Sequence, residues 1–371
     1  MLKWIKIEFS RTKAVNKLTK VKNSQPFFYL SCDNTSQMQE EIKNRIQELE
    51  EKYEAIGQDL KSYLDGLLIS NVTTYWDYIA LDTLKTLQRP KTDFPDELIF
   101  IVYHQITELY FKLVLHELEQ VGNNGKIIKA NGEDHGWKKS LDKDFFIARL
   151  KRVNQYFEAL TKSFDIMVHG MEKEQFLRYR MALLPASGFQ SAQYRSIEIC
   201  CTDFKNLVAR DSRHLFNSDK ESSLADMFEH IYWKQGATEL ASGKKTLTLK
   251  QFEVKYTEEL LDLADDFKDK NMWAKFKSLS TSDQKDPAVI KELRQLDINV
   301  NVNWPLVHYK SAVRYLQADV KEIAATGGTN WQKYLPPRFQ KRIFYPELWS
   351  ETELEEWGKK WVEEVLADSL K

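Results

Sequence analysis

PASGFQSAQYRSIE, residues 185–198, is the stretch on which the interpretation of the fold depends. A turn of small residues at Ser187 and Gly188 precedes a segment with amphipathic helical periodicity, and an arginine-bearing helix over residues 175–184 comes directly before it. Because glycine has no Cβ, such a turn lets the backbone approach something bulky. The pattern predicts two helices joined by a tight turn that lies against a large group.

Outward from this segment, helical periodicity dominates the chain. Only 13 glycines and 9 prolines punctuate the 371 residues, and alternating strand patterns are scarce. No repeat or linker divides the sequence, so we expect an all-α fold built as a single large helical domain over residues 1–371. The predicted helices span residues 36–68, 95–121, 142–180 with a break near Gly170, 190–210, 249–270, 287–296, 304–324 and 351–370.

Charge and cysteine content narrow the class of protein. The net charge is −1, so no overall field attracts nucleic acid or an acidic membrane surface. The three cysteines, Cys32, Cys200 and Cys201, include no CxxC pair, which argues against a zinc knuckle, and free thiols suit a reducing cytosol. The basic N-terminus lacks a long apolar stretch, and no run approaches 18 apolar residues. We therefore expect a cytoplasmic protein without a membrane span.

The predicted helix over residues 95–121 carries a histidine among aromatic residues. Phe100, His104, Thr107 and Phe111 fall at i, i+4, i+7 and i+11, so they share one face of the helix. A histidine in this setting is either part of the core or part of a pocket, and the spacing alone favours the core.

A second histidine lies near the start of the helix WPLVHYKSAVR, residues 304–314. Imidazole is a common axial ligand of heme iron, and one helix can present it without a neighbouring partner in the sequence. The local sequence alone favours a structural role for His308, with axial ligation as the alternative.

Three distant blocks, in the same order, resemble signatures of the tryptophan 2,3-dioxygenase family, the heme enzymes that open the indole ring. Residues 185–191, PASGFQS, are similar to the family's PSSGFQS segment, and residues 100–112, FIVYHQITELYFK, are similar to its FxxxHQ…ELWFK helix. The His308 helix is followed by ATGGT at residues 325–329 and FYPEL at residues 344–348, which resemble the family's TGG loop and FFPEL.

The resemblance implies a role for each matching residue. His104 would be the catalytic distal histidine that hydrogen-bonds the indole N–H, and Phe100 would pack against the indole. His308 would be the axial ligand of heme iron. Arg180 would bind the carboxylate of the substrate, and Thr326 would contact its ammonium and carboxylate groups.

The sequence departs from the family pattern at two places. Phe176 replaces a tyrosine whose hydroxyl touches the substrate carboxylate in the family. Tyr75 matches the first tyrosine of the family's YGGYL segment, which reaches into a neighbouring subunit's pocket, but Trp76 and Asp77 replace both glycines. Tyr75 and Phe176 are therefore candidate substrate-binding residues in altered surroundings.

Taken together, the resemblance implies a heme pocket in the helical core and a reaction with O2. Heme b would be the cofactor, and L-tryptophan or a related indole amino acid would be the substrate, opened at C2–C3 to N-formyl-L-kynurenine in the first step of the kynurenine route. Residues 1–69 would form an N-terminal helical extension for packing or oligomerisation, residues 70–350 the heme and substrate core, and residues 351–371 a C-terminal helix. A homo-oligomer, dimer or tetramer, is expected.

Two alternatives stay open at this point. One is a heme-dependent monooxygenase that forms an oxindole or hydroxylates an aromatic amino acid. The other is a heme-binding sensor without turnover, against which His104, Arg180 and Thr326 argue because a sensor needs no amino-acid clamp. The departures at Phe176, Trp76 and Asp77 also leave open the preference among tryptophan analogues.

Overall fold

The computed structural model of the chain describes residues 32–70, 72–129, 131–216, 223–238, 244–316, 337 and 341–358. The chain forms two compact units, Met1–Ser70 and Asn71–Lys371. Thr326, the glycine loop that follows it and the chain after residue 358 lie outside the described residues, and so do most of the predicted C-terminal helix and the end of the helix predicted to reach residue 324.

The N-terminal unit contains two helices, α1 (Cys32–Ala55) and α2 (Leu60–Ile69). The sequence predicted one helix over residues 36–68, and this was wrong at Gly57. That glycine adopts φ +69°, a left-handed conformation that ends a helix and that L-residues rarely adopt. Asp59 then caps α2 by accepting hydrogen bonds from two backbone N–H groups of its first turn.

The second unit is also helical, which confirms the all-α prediction. Its one sheet among the described residues is a two-stranded antiparallel hairpin of β1 (Lys126–Ile128) and β2 (Asp134–Trp137). Its helices are α3 (Tyr75–Tyr78), α4 (Leu81–Leu84), α5 (Asp96–Gly122), α6 (Lys143–Ser163), α7 (Asp165–His169), α8 (Lys173–Tyr179), α9 (Ala192–Cys201), α10 (Leu224–Glu229), α11 (Tyr232–Gly236), α12 (Leu247–Asp266), α13 (Met272–Ser278), α14 (Thr281–Gln284), α15 (Pro287–Ile298), α16 (Trp304–Leu316) and α17 (Glu351–Glu355).

Short 3₁₀ turns connect several of these helices. The predicted helix over residues 190–210 ends at Cys201 instead, and a 3₁₀ turn at Phe204–Leu207 follows it. A further 3₁₀ turn, Arg180–Leu183, continues directly from α8, and another, Gly188–Gln190, precedes α9. The segment quoted first therefore joins two helices through a tight turn, as predicted.

The core of this unit is built around α5, which packs against α6 and α9. The predicted face of α5 is the one turned inward: Tyr103, Thr107, Phe111, Val114 and Leu118 are buried. These positions recur every three or four residues, which is the spacing that places side chains on one side of a helix. The same face carries His104 at its edge.

The length and composition of α5 alone would let it cross a membrane, contrary to the expectation of no such span. Scattered polar residues interrupt every apolar run, yet an 18-residue window stays apolar on average. In this fold the inner face packs against α6 and α9, whereas the opposite face is exposed. We name that face the α5 outer stripe; it comprises Leu98, Val102, Ile106, Leu109 and Leu113.

The helices α15 and α16 run into one another through a π-helical turn, Asn299–Asn303. The sequence predicted a break between residues 296 and 304. Three asparagines alternate in this turn, at 299, 301 and 303. Asparagine side chains compete for backbone hydrogen bonds and disfavour a regular α-helix. Here their amide groups donate to the side chains of Asn154, Asp297 and Asn299 instead. The helix widens for one turn, and α16 continues from there.

Candidate functional site

A cavity of about 330 Å³ lies between α5 and α16. The 3₁₀ turn after α8, the segment from Ala186 to Arg195 and Arg342 supply further parts of its wall. The volume lies within the range of small-molecule and cofactor sites. Flat rings form much of the lining: Phe100, Phe111, Phe164, Phe176, Phe189 and Trp304.

His104 lines the cavity from α5. Its Nδ1 lies 2.7 Å from the backbone oxygen of Phe100, one turn earlier. Because a carbonyl oxygen only accepts hydrogen bonds, Nδ1 must carry the proton and Nε2 must present its lone pair. Burial is the main cause that lowers the pKa of His104, although the Phe100 hydrogen bond and the Glu108 carboxylate oppose it. His104 is therefore a neutral hydrogen-bond acceptor at Nε2.

The turn at Ser187 and Gly188 brings backbone against this imidazole. A Cβ added at Gly188 would lie 3.9 Å from His104 Nε2, so a longer side chain there would compete for the space before that nitrogen. Ser187 begins the 3₁₀ turn and forms a reciprocal pair of hydrogen bonds with Gln190, which fixes the entry of the chain. The bulky group that the glycine approaches is thus His104 together with the adjoining cavity.

His308 lines the same cavity from α16. Its Nδ1 lies 2.9 Å from the backbone oxygen of Trp304, so the same reasoning leaves the lone pair of Nε2 free. The rings of Phe164 and Trp304 each lie 4.5 Å from the imidazole, centroid to centroid. Burial, together with a smaller contribution from the nearby His104, lowers the pKa of His308 to about 4, although the hydrogen bond to Trp304 opposes the shift. An uncharged imidazole of this kind is the form that ligates metals.

Arg180 and Phe176 lie on a third part of the wall. Arg180 begins the 3₁₀ turn after α8 and is only 7% exposed, and burial lowers the pKa of its guanidinium. The Phe176 ring packs 4.7 Å from that of Tyr315 and 6.4 Å from that of Phe100. The Tyr315 hydroxyl donates to the backbone oxygens of Val168 and Met171. The cavity thus combines a buried cation with an apolar ring beside it.

A buried polar cluster, which we name the Arg342 cluster, closes the cavity near α9. It consists of Tyr194, Arg195, Glu198, Tyr232, Asn301 and Arg342. Both arginines are 6% exposed and both contact the Glu198 carboxylate. Asn301 also donates to Asp297, 2.7 Å away. Burial raises the pKa of Asp297 to about 6, although hydrogen bonds from the backbone of Phe344 and from Asn301 oppose the shift.

The structure brings most of the predicted site residues to one cavity. Phe100, His104, Phe176, Arg180 and His308 all line it. Tyr75 does not: it lies in α3, is 70% exposed and is not part of the lining. Thr326 lies outside the described residues.

Sequence reasoning missed the Arg342 cluster altogether. Arg342 stands two residues before the quoted FYPEL stretch, and Asn301 stands in the alternating asparagine run before the His308 helix. That run is the signal that could have marked the region, because asparagine in the middle of a helix points to an irregular turn.

The residues present fit a heme group. His308 offers a buried, uncharged imidazole whose Nε2 is free, and one such ligand suffices to hold heme iron from one side. Aromatic rings line the space beside it, as a flat apolar macrocycle requires. No cluster of three or more His, Cys, Asp or Glu side chains suited to a bare metal ion occurs in the described part of the chain.

Comparison with known proteins agrees with this geometry. The profile of the tryptophan 2,3-dioxygenase family matches residues 66–299, well over half of the chain. The chain belongs to the tryptophan 2,3-dioxygenase family. Within this family match lie α5 with His104 and the Ser187–Gly188 turn, and the match ends at the first residue of the π-helical turn. The resemblance recognised from three sequence blocks is thereby confirmed.

Individual relatives align over shorter stretches. Tryptophan 2,3-dioxygenase of Anaeromyxobacter sp. (strain K) is 39% identical over 129 residues, which are 35% of this chain and 43% of that protein. That of Ruegeria sp. (strain TM1040) is 36% identical over 152 residues, 39% of this chain and 47% of the relative. That of Bradyrhizobium diazoefficiens is 33% identical over 141 residues, 38% and 46% respectively. Each alignment spans less than half of the curated relative.

Proposed function

We propose that this chain is a heme-dependent dioxygenase that opens the indole C2–C3 bond of L-tryptophan with O2 and releases N-formyl-L-kynurenine, the first step of tryptophan catabolism. The observation that carries the proposal is that two uncharged imidazoles, His104 of α5 and His308 of α16, line one aromatic cavity that Arg180 also lines. The names of the family and of its relatives support the same reaction.

His308 would hold the iron of heme b through Nε2, because its Nδ1 is bonded to Trp304. Heme, when bound, supplies the activation of O2, which protein side chains cannot perform. The rings of Phe164 and Trp304, which pack against the His308 imidazole, would restrict its orientation toward the group.

His104 would orient the substrate. Its Nε2 can only accept a hydrogen bond, and the indole N–H can only donate one, so the two are complementary. Phe100 packs 4.1 Å from the imidazole, centroid to centroid, and offers a ring against which the indole can stack. Holding the indole in one orientation lowers the entropic barrier to reaction at its C2–C3 bond.

Arg180 would bind the substrate carboxylate. A buried guanidinium forms two parallel hydrogen bonds to a carboxylate, which fixes both position and angle. Phe176 contributes ring contact but no hydroxyl at this place, so the carboxylate has one donor fewer than in the family pattern. We also propose that Thr326 contacts the ammonium and carboxylate groups, by its match to the family's TGG loop.

The chain is proposed to act as a homo-oligomer, either a dimer or a tetramer, in the cytoplasm. The α5 outer stripe supports association, because contiguous exposed apolar side chains mark interaction surfaces. Exposed Tyr75 is free of the chain's own cavity and therefore available to the pocket of a neighbouring copy. The buried free thiols of Cys200 and Cys201 suit a reducing compartment.

Mass spectrometry of the product tests the reaction. Purified protein reconstituted with heme b and given L-tryptophan under ¹⁸O2 should form a product that carries two labelled oxygen atoms. A product with one labelled oxygen would instead establish the monooxygenase alternative, which the replacement of the family tyrosine by Phe176 makes the second candidate. Heme binding without any product would establish the sensor alternative.

A further inference from the structure

The π-helical turn at Asn299–Asn303 sets the direction from which α16 approaches the cavity. In this turn the Trp304 N–H donates to the Asn299 oxygen, five residues earlier, instead of four. An α-helix turns by about 100° per residue, so one extra residue in the ring rotates everything after it by about that angle. His308 lies in the first two turns of α16, so the π-helical turn determines which face of α16 points into the cavity.

Side chains stabilise this irregular turn. The backbone oxygen of Val300 accepts a hydrogen bond from the Tyr194 hydroxyl at 3.0 Å and another from Arg342 Nη2 at 3.2 Å. Arg342 Nε donates to Asn301 Oδ1 at 2.5 Å. Two successive residues of the turn are thus held from outside the helix. The Val300 oxygen depends on such donors because Pro305, five residues later, has no N–H.

Every N–H donor of Arg342 takes part in a hydrogen bond within the protein. A guanidinium has five N–H donors. Besides Val300 and Asn301, Arg342 donates from Nη1 to the Glu198 carboxylate and the Tyr232 hydroxyl and from Nη2 to the Tyr194 hydroxyl. With every donor used inside the protein, Arg342 has none left for a ligand in the cavity it lines. Its role must therefore be structural with respect to the turn.

We propose that Arg342 is a positioning residue for His308, the proposed iron ligand, and that it acts through the π-helical turn. The connection has three steps: Arg342 holds Val300 and Asn301, the turn places Trp304, and the Trp304 carbonyl fixes His308 by accepting from Nδ1. Partners that orient a metal-ligating histidine tune both its direction and its basicity. The inference rests on the proposed function, because it takes His308 as the iron ligand.

Arg195 supplies a matched control within the same cluster. It is as deeply buried as Arg342 and contacts the same Glu198 carboxylate and Tyr232 hydroxyl, but it has no hydrogen bond to the turn. Replacing either arginine by lysine keeps the charge and disturbs the cluster. Only Arg342→Lys removes donors from Val300 and Asn301.

The test measures the bond between iron and His308 by resonance Raman spectroscopy, together with the rate at which heme passes to an acceptor protein. In the ferrous protein, Arg342→Lys should shift the iron–imidazole stretching band and speed heme loss about tenfold or more, by the scale typical of residues that support metal ligands. Tyr194→Phe, which removes one donor to Val300, should shift the band less and in the same direction. Arg195→Lys should leave the band at the parent position.

An unchanged band in both Arg342→Lys and Tyr194→Phe would overturn the inference, and so would an equal shift in Arg195→Lys. If Arg342→Lys does not fold, comparison of the iron–imidazole band in Tyr194→Phe with that in Arg195→Lys tests the inference. If the parent protein binds no heme, the proposed function fails by itself. The ¹⁵N spectrum of His308 in heme-free protein then tests the inference, because loss of the turn would release Nδ1 from Trp304. The tautomer signal should change in Arg342→Lys and Tyr194→Phe but not in Arg195→Lys.

Discussion

The two histidine walls of the cavity hold their imidazoles by the same bond but in very different helices. His104 and His308 each bind the backbone oxygen four residues earlier through Nδ1. Yet α5 runs without interruption over Asp96–Gly122, whereas α16 starts from a π-helical turn held by Arg342. The orientation of His104 therefore depends only on a regular helix. The orientation of His308 also depends on residues that are distant in the sequence.

This difference follows from what each imidazole must do. A hydrogen bond to an indole N–H tolerates small changes of angle, because its energy falls slowly near the optimum. A metal bond tolerates less, and its supporting partners change metal affinity by about tenfold to hundredfold. Substitutions in the α5 wall should accordingly change substrate binding and turnover, and substitutions in the α16 wall should change heme binding.

The largest effect is expected at the α16 wall. His308→Ala removes the only described imidazole on that wall, so the purified protein should contain little heme b or show a displaced Soret band. Absorbance spectra and heme content per chain provide the measurement. A variant with the parent spectrum and full activity would place the iron ligand elsewhere and would end the comparison of the two walls.

Arg180→Leu should weaken substrate binding without emptying the heme site. A buried carboxylate that loses its charged partner costs several kcal/mol, which corresponds to about a hundredfold or more in KM at about 1.4 kcal/mol per decade. Steady-state kinetics with L-tryptophan and parallel heme content measure both properties. The control is Arg178→Leu, two residues earlier in the chain and outside the cavity lining. An unchanged KM would show that the carboxylate binds to another group.

The pH dependence of the unfolding free energy should also show that His308 is buried in an uncharged form. The pKa of His308 in the folded protein is about 4, below its unfolded value of about 6.5, so the unfolded state takes up the proton first. Stability contributed by this residue is therefore present above pH 6.5 and is lost as the pH falls towards 4. Asp297 opposes the trend, because its raised folded pKa of about 6 favours the folded state at low pH.

Comparison with a variant isolates the contribution of the histidine. Between pH 7 and pH 4.5, heme-free parent protein should lose about 2 kcal/mol more of its unfolding free energy than His308→Asn, which has no proton to gain in this range. Urea unfolding at both pH values provides the difference, in which Asp297 and the other carboxylates cancel. Equal losses would mean that water reaches His308 and that its pKa is not depressed.

The fold was predictable where local periodicity determines the structure. The inward face of α5 followed from the spacing of Phe100, His104, Thr107 and Phe111, and burial of its continuation confirms it. The break at Gly57 was missed, although glycine is the residue that a left-handed φ requires. The hairpin of β1 and β2 was also missed, because its strands are only three and four residues long and every residue in them is exposed, so burial does not alternate along them.

The site was predictable only where its residues belong to a recognisable motif. The structure places His104, His308, Arg180 and Phe176, the residues that the motif resemblance singled out, in one cavity. The Arg342 cluster gave no such signal, because Arg342 meets Asn301 from 41 positions away and Glu198 from 144 positions away. Contacts between residues so distant in sequence leave no local pattern, and the π-helical turn depends on them.

On the α5 wall, His104→Ala should slow turnover or weaken binding modestly and leave heme content unchanged. One hydrogen bond to a neutral group contributes about 1 kcal/mol, which is about a fivefold effect, and water can replace it in part. 1-Methyl-tryptophan, which lacks the indole N–H, provides the control. The parent should discriminate between tryptophan and this analogue more strongly than the variant does. Equal discrimination by both proteins would make His104 a core histidine without a role in binding.

The smallest effect is expected at Phe176, whose ring contacts both walls through Phe100 of α5 and Tyr315 of α16. Phe176→Tyr adds the hydroxyl that the family places beside the substrate carboxylate, so the KM for L-tryptophan should stay the same or fall, by about fivefold at most. Heme content and the Soret band should not change, because the rings that pack against His308 are those of Phe164 and Trp304 and not that of Phe176. Phe176→Leu is the control for lost ring contact. If Phe176→Tyr instead abolished turnover while heme stayed bound, the apolar ring would be a requirement of this pocket, and product mass would then have to distinguish dioxygenation from monooxygenation of a different aromatic substrate.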